Sequence, residues 1–302
     1  FDVFYSINGA ADVKINGSAI AANNYTFSVL AAMTGKNVVL KVKDADTGHP
    51  ATESVASTSF HVKGTVTLGT FTIDSTAVTS GQTFTVGNPV ALAWSKTGNL
   101  TQFNVYYVIG GAETLINTGA AITTENYSFN APTGMVGKTV TLKVKDADTT
   151  NHPDTVSAAS NAFDLKGTLA LGAVTIATDP VNGGEIYTVG DAVSIAWTPV
   201  GITQFDVFYK IGAGSDVKVN TGGAITGSNS YAFNVVSGMV GNNVLLKVKE
   251  ADLTNHPAAT SPESKVFNIK GTIGFTTQPV VSAGAIVTSG DSMTMAWSPP
   301  GK

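Results

Sequence analysis

The sequence predicts an all-β protein built from tandem seven-stranded Greek-key β-sandwiches of about 102 residues each. Two observations support this prediction: an internal repeat with a period near one hundred residues, and apolar and polar residues that alternate with a period of two inside each repeat. No stretch keeps an apolar period of about 3.6 residues over three turns, and Val, Ile, Thr and aromatic residues are frequent. We therefore expect half-buried antiparallel strands, not helices.

The repeat is visible in short phrases that return along the chain. FDVFYSI at Phe1 returns as FNVYYVI at Phe103 and as FDVFYKI at Phe205. The phrases LKVKDAD, His-Pro and Lys-Gly-Thr recur in step with it. Such a period is too long for the repeats of solenoids or propeller blades, so each period is predicted to be a whole domain.

The frame of the repeat sets the predicted domain boundaries. Residues 1–63 are expected to form the last five strands of a sandwich, and residues 64–166 a complete sandwich. Residues 167–270 should form a second complete sandwich, and residues 271–302 the first two strands of another. Strands of the first complete period are predicted near 66–74, 87–95, 102–109, 113–116, 126–130, 138–146 and 159–165. The connections between sandwiches are short, so neighbours should touch and form a semi-rigid rod.

Five aromatic residues are predicted to define the cores. In VALAW, the apolar side chains at 90, 92 and 94 share one strand face, while the two alanines share the other. The same phrase recurs as VSIAW and MTMAW, each followed or expected to be followed by a strand of the FDVFY type. The core-defining residues are therefore Trp94, Trp197, Trp297, Phe103 and Phe205.

The segment VSIAWTPVGITQFDVFYKI resembles the second and third strands of fibronectin type III and bacterial immunoglobulin-like domains. Trp197 stands where such domains bury the tryptophan of their second strand. The resemblance covers essentially all of the 302 residues. It implies tandem immunoglobulin-like domains of the kind found in surface filaments and giant adhesins, although a fold of this type serves many functions.

Composition narrows the classes of function. The chain is 43% hydrophobic and 13% charged, which is too apolar for a disordered segment. All 17 basic residues are Lys and the net charge is -4, which argues against a nucleic-acid partner. The absence of Cys excludes disulfides and thiolate chemistry. No apolar run is long enough for a membrane span, and no signal peptide is recognisable at the start.

The phrases at the two ends of the chain continue each other. The chain stops shortly after Trp297, where the repeat would next reach FDVFY, and it starts with that phrase at Phe1. We expect the chain to be continued head to tail by further copies of itself. It is either an excerpt of a longer tandem array or a subunit whose final strands complete the next copy.

The loop after the sixth strand carries recurring carboxylates next to a His-Pro pair. Alternate carboxylates at a strand end can share one hard cation, and calcium prefers such oxygen ligands. The alternative is a polar turn, because Asp favours bends and Pro restricts the residue before it. If calcium binds, the predicted ligands are Asp44, Asp46, Asp146, Asp148, Glu250 and Asp252, and the loop faces the preceding domain.

One exposed aromatic residue recurs per repeat, on the opposite strand face from the core. Phe4, Tyr106 and Phe208 are predicted to form a stripe for lateral self-association or contact with glycans. The alternative is that they are ordinary surface residues. No nucleophile motif recurs with the His residues, so we do not expect an enzyme.

The sequence therefore predicts a structural repeat segment of an extracellular, cell-surface filament or giant adhesin, without a required cofactor. The alternative is a carbohydrate- or ligand-binding module of an adhesin or secreted hydrolase.

Overall fold

A computed structural model of the protein describes residues 1–48, 50–277 and 286–298. His49 and parts of the predicted fourth domain, 278–285 and 299–302, lie outside the described residues. The chain divides into two compact units, Phe1–Leu165 and Lys166–Lys302. The described residues form strands and the short 3-10 helices Ala31–Met33, Thr133–Met135 and Ser237–Met239. The prediction of an all-β fold is confirmed.

Residues 1–63 form one antiparallel sheet. Its strands are β1 (Asp2–Ile7), β2 (Val13–Lys14), β3 (Gly35–Lys43) and β4 (Phe60–Val62), in the order β2-β1-β3-β4. A small core contains Tyr5, Met33 and Val38. The predicted strand of this region that would belong to a second sheet does not form, because residues 24–28 have no neighbouring strand within the described part of the chain.

The first complete sandwich has two sheets. Its strands are β5 (Thr65–Leu68), β6 (Thr72–Ile73), β7 (Thr76–Ala77), β8 (Thr83–Thr85), β9 (Pro89–Thr97), β10 (Phe103–Ile109), β11 (Ala112–Leu115), β12 (Asn126–Asn130), β13 (Gly137–Asp146) and β14 (Phe163–Lys166). One sheet has the order β11-β10-β13-β14-β8, and the other β12-β9-β6-β7 with β5 also on β9. Non-consecutive strands therefore pair, as in a Greek key.

The last strand of this sandwich begins later than the sequence predicts, at Phe163. Two serine hydroxyl groups replace main-chain partners before it: Ser157 Oγ accepts the Val144 N–H at 3.1 Å, and Ser160 Oγ accepts the Leu142 N–H at 2.9 Å. Because side chains satisfy these strand donors, the segment runs beside β13 without forming a ladder.

The second complete sandwich repeats this plan. Its strands are β15 (Thr168–Ile176), β16 (Asp179–Pro180), β17 (Ile186–Thr188), β18 (Ala192–Val200), β19 (Gln204–Ile211), β20 (Val217–Lys218), β21 (Ile225–Thr226), β22 (Ser230–Asn234), β23 (Gly241–Glu250) and β24 (Phe267–Lys270). The sheets are β16-β15-β18-β22 and β17-β24-β23-β19-β20, with β21 on β19. A further pair follows, β25 (Phe275–Thr277) with β26 (Ala296–Trp297).

Four of the five predicted core aromatics are buried. Phe103 is 0% and Phe205 2% exposed, and Trp94 and Trp197 are 5% and 3% exposed. The fifth, Trp297, is 59% exposed, because the pair β25–β26 has no second sheet over it within the described residues.

Candidate functional site: a joint between sandwiches

The carboxylate loop of the first complete sandwich is held by its own side chains. Asp146, at the end of β13, is buried, and its Oδ2 lies 2.7 Å from Nδ1 of the buried His152. Asp148 accepts hydrogen bonds from the backbone N–H of Asn151 at 3.0 Å and from its side-chain amide. The Asn151 side chain and backbone N–H lower the pKa of Asp148. The loop is thus a pre-ordered turn.

The same arrangement recurs in the second complete sandwich. Asp252 accepts hydrogen bonds from the backbone and side-chain N–H groups of Asn255, which lower its pKa. Nδ1 of His256 lies 3.5 Å from Oε2 of Glu250, a longer separation than that in the Asp146–His152 pair. In residues 1–63, the Asp46 N–H donates to Asp44 Oδ1 at 3.0 Å.

The loop of the first complete sandwich meets the preceding sheet. The Lys36 N–H, in β3, donates to the Asn151 carbonyl at 2.7 Å, and Lys36 Nζ donates to the Thr149 carbonyl. The sequence placed this loop at the end where the previous domain attaches, and these contacts agree with that placement. In the opposite direction, Asn99 Nδ2 of the first complete sandwich donates to the Ala32 carbonyl, in residues 1–63, at 2.9 Å.

Close backbone approach also shapes this joint. Gly98 has a φ of +92°, and a Cβ at this position would overlap Oγ1 of Thr34. Thr34 is buried, and its hydroxyl donates to the Ala31 carbonyl at 2.8 Å. Only Gly combines this φ with this distance from Thr34, so the residue at 98 fixes how closely the two sheets approach.

The joint has a short covalent connection. β4 ends at Val62 and β5 begins at Thr65, so Lys63 and Gly64 alone link the two. We call the contacts of Lys36, Thr34, Gly98, Asn99 and the loop 147–152 the joint. Sequence reasoning missed Lys36 and Asn99, because their partners come from a different domain and leave no periodic signal.

The predicted calcium ligands are not gathered around one point. Asp146 is directed to His152 and Asp148 to Asn151, so the two carboxylates serve different partners. In the described part of the chain, no three His, Cys, Asp or Glu side chains are placed to hold a metal ion. Calcium binding at these loops stays a prediction.

The predicted aromatic stripe lies on the outer sheet face, and lysines cover its rings. Nζ of Lys43, Lys145 and Lys249 lies 4.9, 5.0 and 4.6 Å from the ring centroids of Phe4, Tyr106 and Phe208. These distances are typical of cation–π contacts. The aromatic side chains therefore have partners in their own sheet, a feature that strand parity alone did not predict.

Each of these lysines also binds a carboxylate beside the ring. Glu113 contacts Lys145 and Lys143, and these two lysines lower its pKa. Asp216 in the second complete sandwich contacts Lys247 at 2.8 Å and Lys249 at 2.5 Å, which likewise lower its pKa. In each cluster the lysines pair with the carboxylates, and one lysine also contacts the aromatic ring.

A buried Asn recurs at a position that sequence reasoning did not select. Asn117 Oδ1 accepts the Val105 N–H at 2.7 Å, and its amide donates to Asn104 Oδ1 and to the Ala120 carbonyl. Asn16 and Asn220 make the equivalent bonds in the other two repeats. The recurring phrases INGS, INTG and VNTG were the available signal.

Across the described residues, the chain has no helix of the length and apolarity that a membrane crossing requires.

No protein-family model matches the chain, and no curated protein matches it. Among solved structures, it is similar to a tetra-tandem repeat in the extending region of a large adhesion protein, with 15% identity, 91% of this chain and 69% of that chain covered, and a TM-score of 0.40. It is also similar to two fibronectin type III domains of chicken tenascin, with 10% identity and a TM-score of 0.35; the match covers 66% of this chain and 99% of the tenascin chain. The fibronectin(III)-like modules of Clostridium thermocellum CbhA are similar with 15% identity and a TM-score of 0.22; the match covers 66% of this chain and 94% of the CbhA chain. These likenesses are loose, so the sandwich assignment rests on the chain's own sheets.

Proposed function

We propose that this chain is a structural spacer segment of an extracellular surface filament or large adhesin. Its tandem sandwiches form a semi-rigid rod that continues head to tail, and its task is mechanical. The proposal assigns no catalysis to the chain, and the buried His152 serves to order the loop through its 2.7 Å contact with Asp146.

The joint is the observation that carries this proposal. A two-residue connection and hydrogen bonds from Lys36 and Asn99 restrain the sheet of residues 1–63 against the next sandwich. A flexible tether needs no such contacts, whereas a spacer that transmits force or holds a direction does. The ordered loop around Asp146 and His152 presents the carbonyl groups that Lys36 binds, so the polar repeat serves the joint.

The ligand-binding alternative has weaker support. It relied on free aromatic faces at Phe4, Tyr106 and Phe208, and each ring instead has a lysine against it. A glycan array separates the two functions. Binding that Tyr106→Ala abolishes would favour the binding module, whereas we expect no glycan to be retained.

Single-molecule force spectroscopy tests the mechanical proposal. A chain tethered through its termini is expected to unfold in two discrete steps, one for each complete sandwich, and each step should release roughly 350 Å of contour length. Trp94→Ala should weaken or remove one step and leave the other. Featureless extension of the unsubstituted chain would contradict a rod whose sandwiches resist force.

A further inference from the structure

The sheet of residues 1–63 has an apolar face that the described residues cover only in part: Val3 is 8% exposed, but the face opens towards Val42. Val3, Leu40 and Val42 line a groove of about 390 Å³ together with Tyr25 and Phe27. Val42 and Tyr25 are 41% and 42% exposed. Apolar side chains that share a groove and stay this open are typical of a surface that receives a partner.

The internal repeat shows which structure seals this face. Val105, Leu142 and Val144 are the equivalents of Val3, Leu40 and Val42, and all three are 0% exposed. They lie in the same core cluster as Leu92 and Trp94 of β9. A strand that contains Ala-Trp, as β9 does, is therefore the natural cover for this sheet.

The groove is bordered by residues 24–28, which correspond to β12 but form no strand of their own. The rings of Tyr25 and Phe27 stack with centroids 6.0 Å apart, as Tyr127 and Phe129 of β12 do at 5.7 Å. β12 pairs with β9 along its whole length, whereas residues 24–28 have no strand partner within the described residues. A segment of this kind accepts a strand by β-augmentation.

The pair β25–β26 offers the missing element. Trp297 is 59% exposed, and Phe275, Met293 and Met295 are 61%, 50% and 52% exposed. β26 pairs with β25 as β9 pairs with β5, with Trp297 opposite Phe275 as Trp94 is opposite Leu68, and among the described strands it pairs with no other. The chain thus carries both a partly uncovered sheet and an uncovered strand pair of the kind that covers such a sheet elsewhere in the same chain.

We propose that β25–β26 of one copy binds the groove of residues 1–63 of a second copy and supplies its second sheet. This inference rests on the proposed rod and names the contact by which one copy continues into the next. The pairing of β9 with β12 gives the register: Ala296 opposite Asn24, Met295 opposite Tyr25 and Met293 opposite Phe27.

Two variants with complementary defects test the proposal in size-exclusion chromatography with light scattering. Val42→Asp places an unpaired carboxylate in the groove, and Trp297→Ala removes the main apolar side chain of the inserted pair. Both residues are exposed in a single copy, so the monomer should stay folded, which circular dichroism checks. Each change should weaken association of the chain about a hundredfold or more.

The unsubstituted chain should form concentration-dependent oligomers, and each variant alone should stay monomeric. A mixture of the two variants should form a one-to-one heterodimer and nothing larger, because one intact groove and one intact strand pair remain. Val13→Asp and Ile186→Ala are matched controls at other exposed apolar positions, 47% and 66% exposed, and should oligomerise normally.

A mixture that stays monomeric, or oligomers that survive either variant, would overturn the proposal. If Val42→Asp blocks association but Trp297→Ala does not, the groove binds a segment other than β25–β26 and the proposal is equally wrong. The unfolding steps of the monomeric variants under force test the rod separately, so a failure of strand exchange and a failure of the proposed function give different results.

Cysteine pairs test the register, since the chain has no Cys of its own. The outward-facing pair Thr26→Cys with Thr294→Cys should form intermolecular disulfides that produce a reducible ladder on a gel. Thr26→Cys with Thr288→Cys lies out of register by six residues and should not. A ladder from the second pair alone would contradict the proposed pairing.

Discussion

The indole ring of Trp94 lies 5.4 Å from the ring of Phe103 at an interplanar angle of 67°. Trp197 and Phe205 repeat this contact at 5.2 Å and 58°. In each sandwich the two residues come from different sheets, so the pair joins the sheets across the core. Such tilted aromatic contacts contribute beyond the area they bury.

Trp94→Ala should therefore destabilise the first complete sandwich by about 3–5 kcal/mol, because it opens a cavity between the two sheets. Denaturant unfolding followed by circular dichroism measures this loss. Val156→Ala is the matched control, since Val156 belongs to the same sandwich and is 43% exposed. Equal effects of the two substitutions would show that Trp94 does not hold the sheets together.

Asn117→Ala should cost about 1–3 kcal/mol, because it leaves the buried Val105 N–H without its acceptor. Asn126→Ala removes an exposed amide from the same sandwich and should change the unfolding free energy by less than about 0.5 kcal/mol. Denaturant melts of both variants compare them directly. A loss below that of Asn126→Ala would exclude a structural role for the buried amide.

Gly98→Ala should loosen the joint, because the added methyl group overlaps Thr34 and the residue keeps a positive φ. Gly87→Ala is a close control: Gly87 has a φ of +86° but open space around it. Trypsin cleavage after Lys63, followed by mass spectrometry, reports the exposure of the connection. We expect several-fold faster cleavage in Gly98→Ala than in Gly87→Ala. Equal rates would show that the close approach of residue 98 to Thr34 does not hold the joint together.

Acid should destabilise the protein below about pH 4. The pKa of Glu113 is lowered by Lys145 and Lys143, and that of Asp148 by Asn151. A carboxylate with a lowered folded pKa adds stability that is present above its unfolded pKa and is lost as the pH falls through the folded value. Thermal melts should thus be flat from about pH 6 to 5 and decline below about pH 4.

Glu113→Gln should flatten this decline, while Asp154→Asn, at an exposed position, should leave its shape unchanged. A melting temperature that already falls between about pH 6 and 5 would contradict carboxylate protonation as the cause.

The sequence predicted the features that repeat within a sandwich, and it missed those that depend on two elements meeting. Alternation correctly placed Leu92 and Trp94 inside, because strand parity determines which side chains face the core. It could not foresee that Ser157 and Ser160 would take the strand donors, since this depends on how a loop lies against β13.

The recurring Asp and His residues marked this loop as a candidate site in the sequence. The carboxylates suggested a cation, whereas the structure pairs Asp146 with His152 and Asp148 with Asn151. The partners of Lys36 and Asn99 lie in the neighbouring domain, and short-range patterns carry no information about such contacts. The joint therefore required the three-dimensional arrangement.

The width of a distance distribution across the joint tests the rod most directly. Spin labels at Ser18→Cys and Thr118→Cys, both exposed positions, report the separation of the two sides by double electron–electron resonance. We predict one narrow distribution that broadens when Lys36→Ala and Asn99→Ala remove the side-chain hydrogen bonds to the Thr149 and Ala32 carbonyls, while the backbone bond of residue 36 remains. A distribution in the otherwise unsubstituted chain that is already as broad as in the joint variant would contradict a stiff connection between consecutive sandwiches.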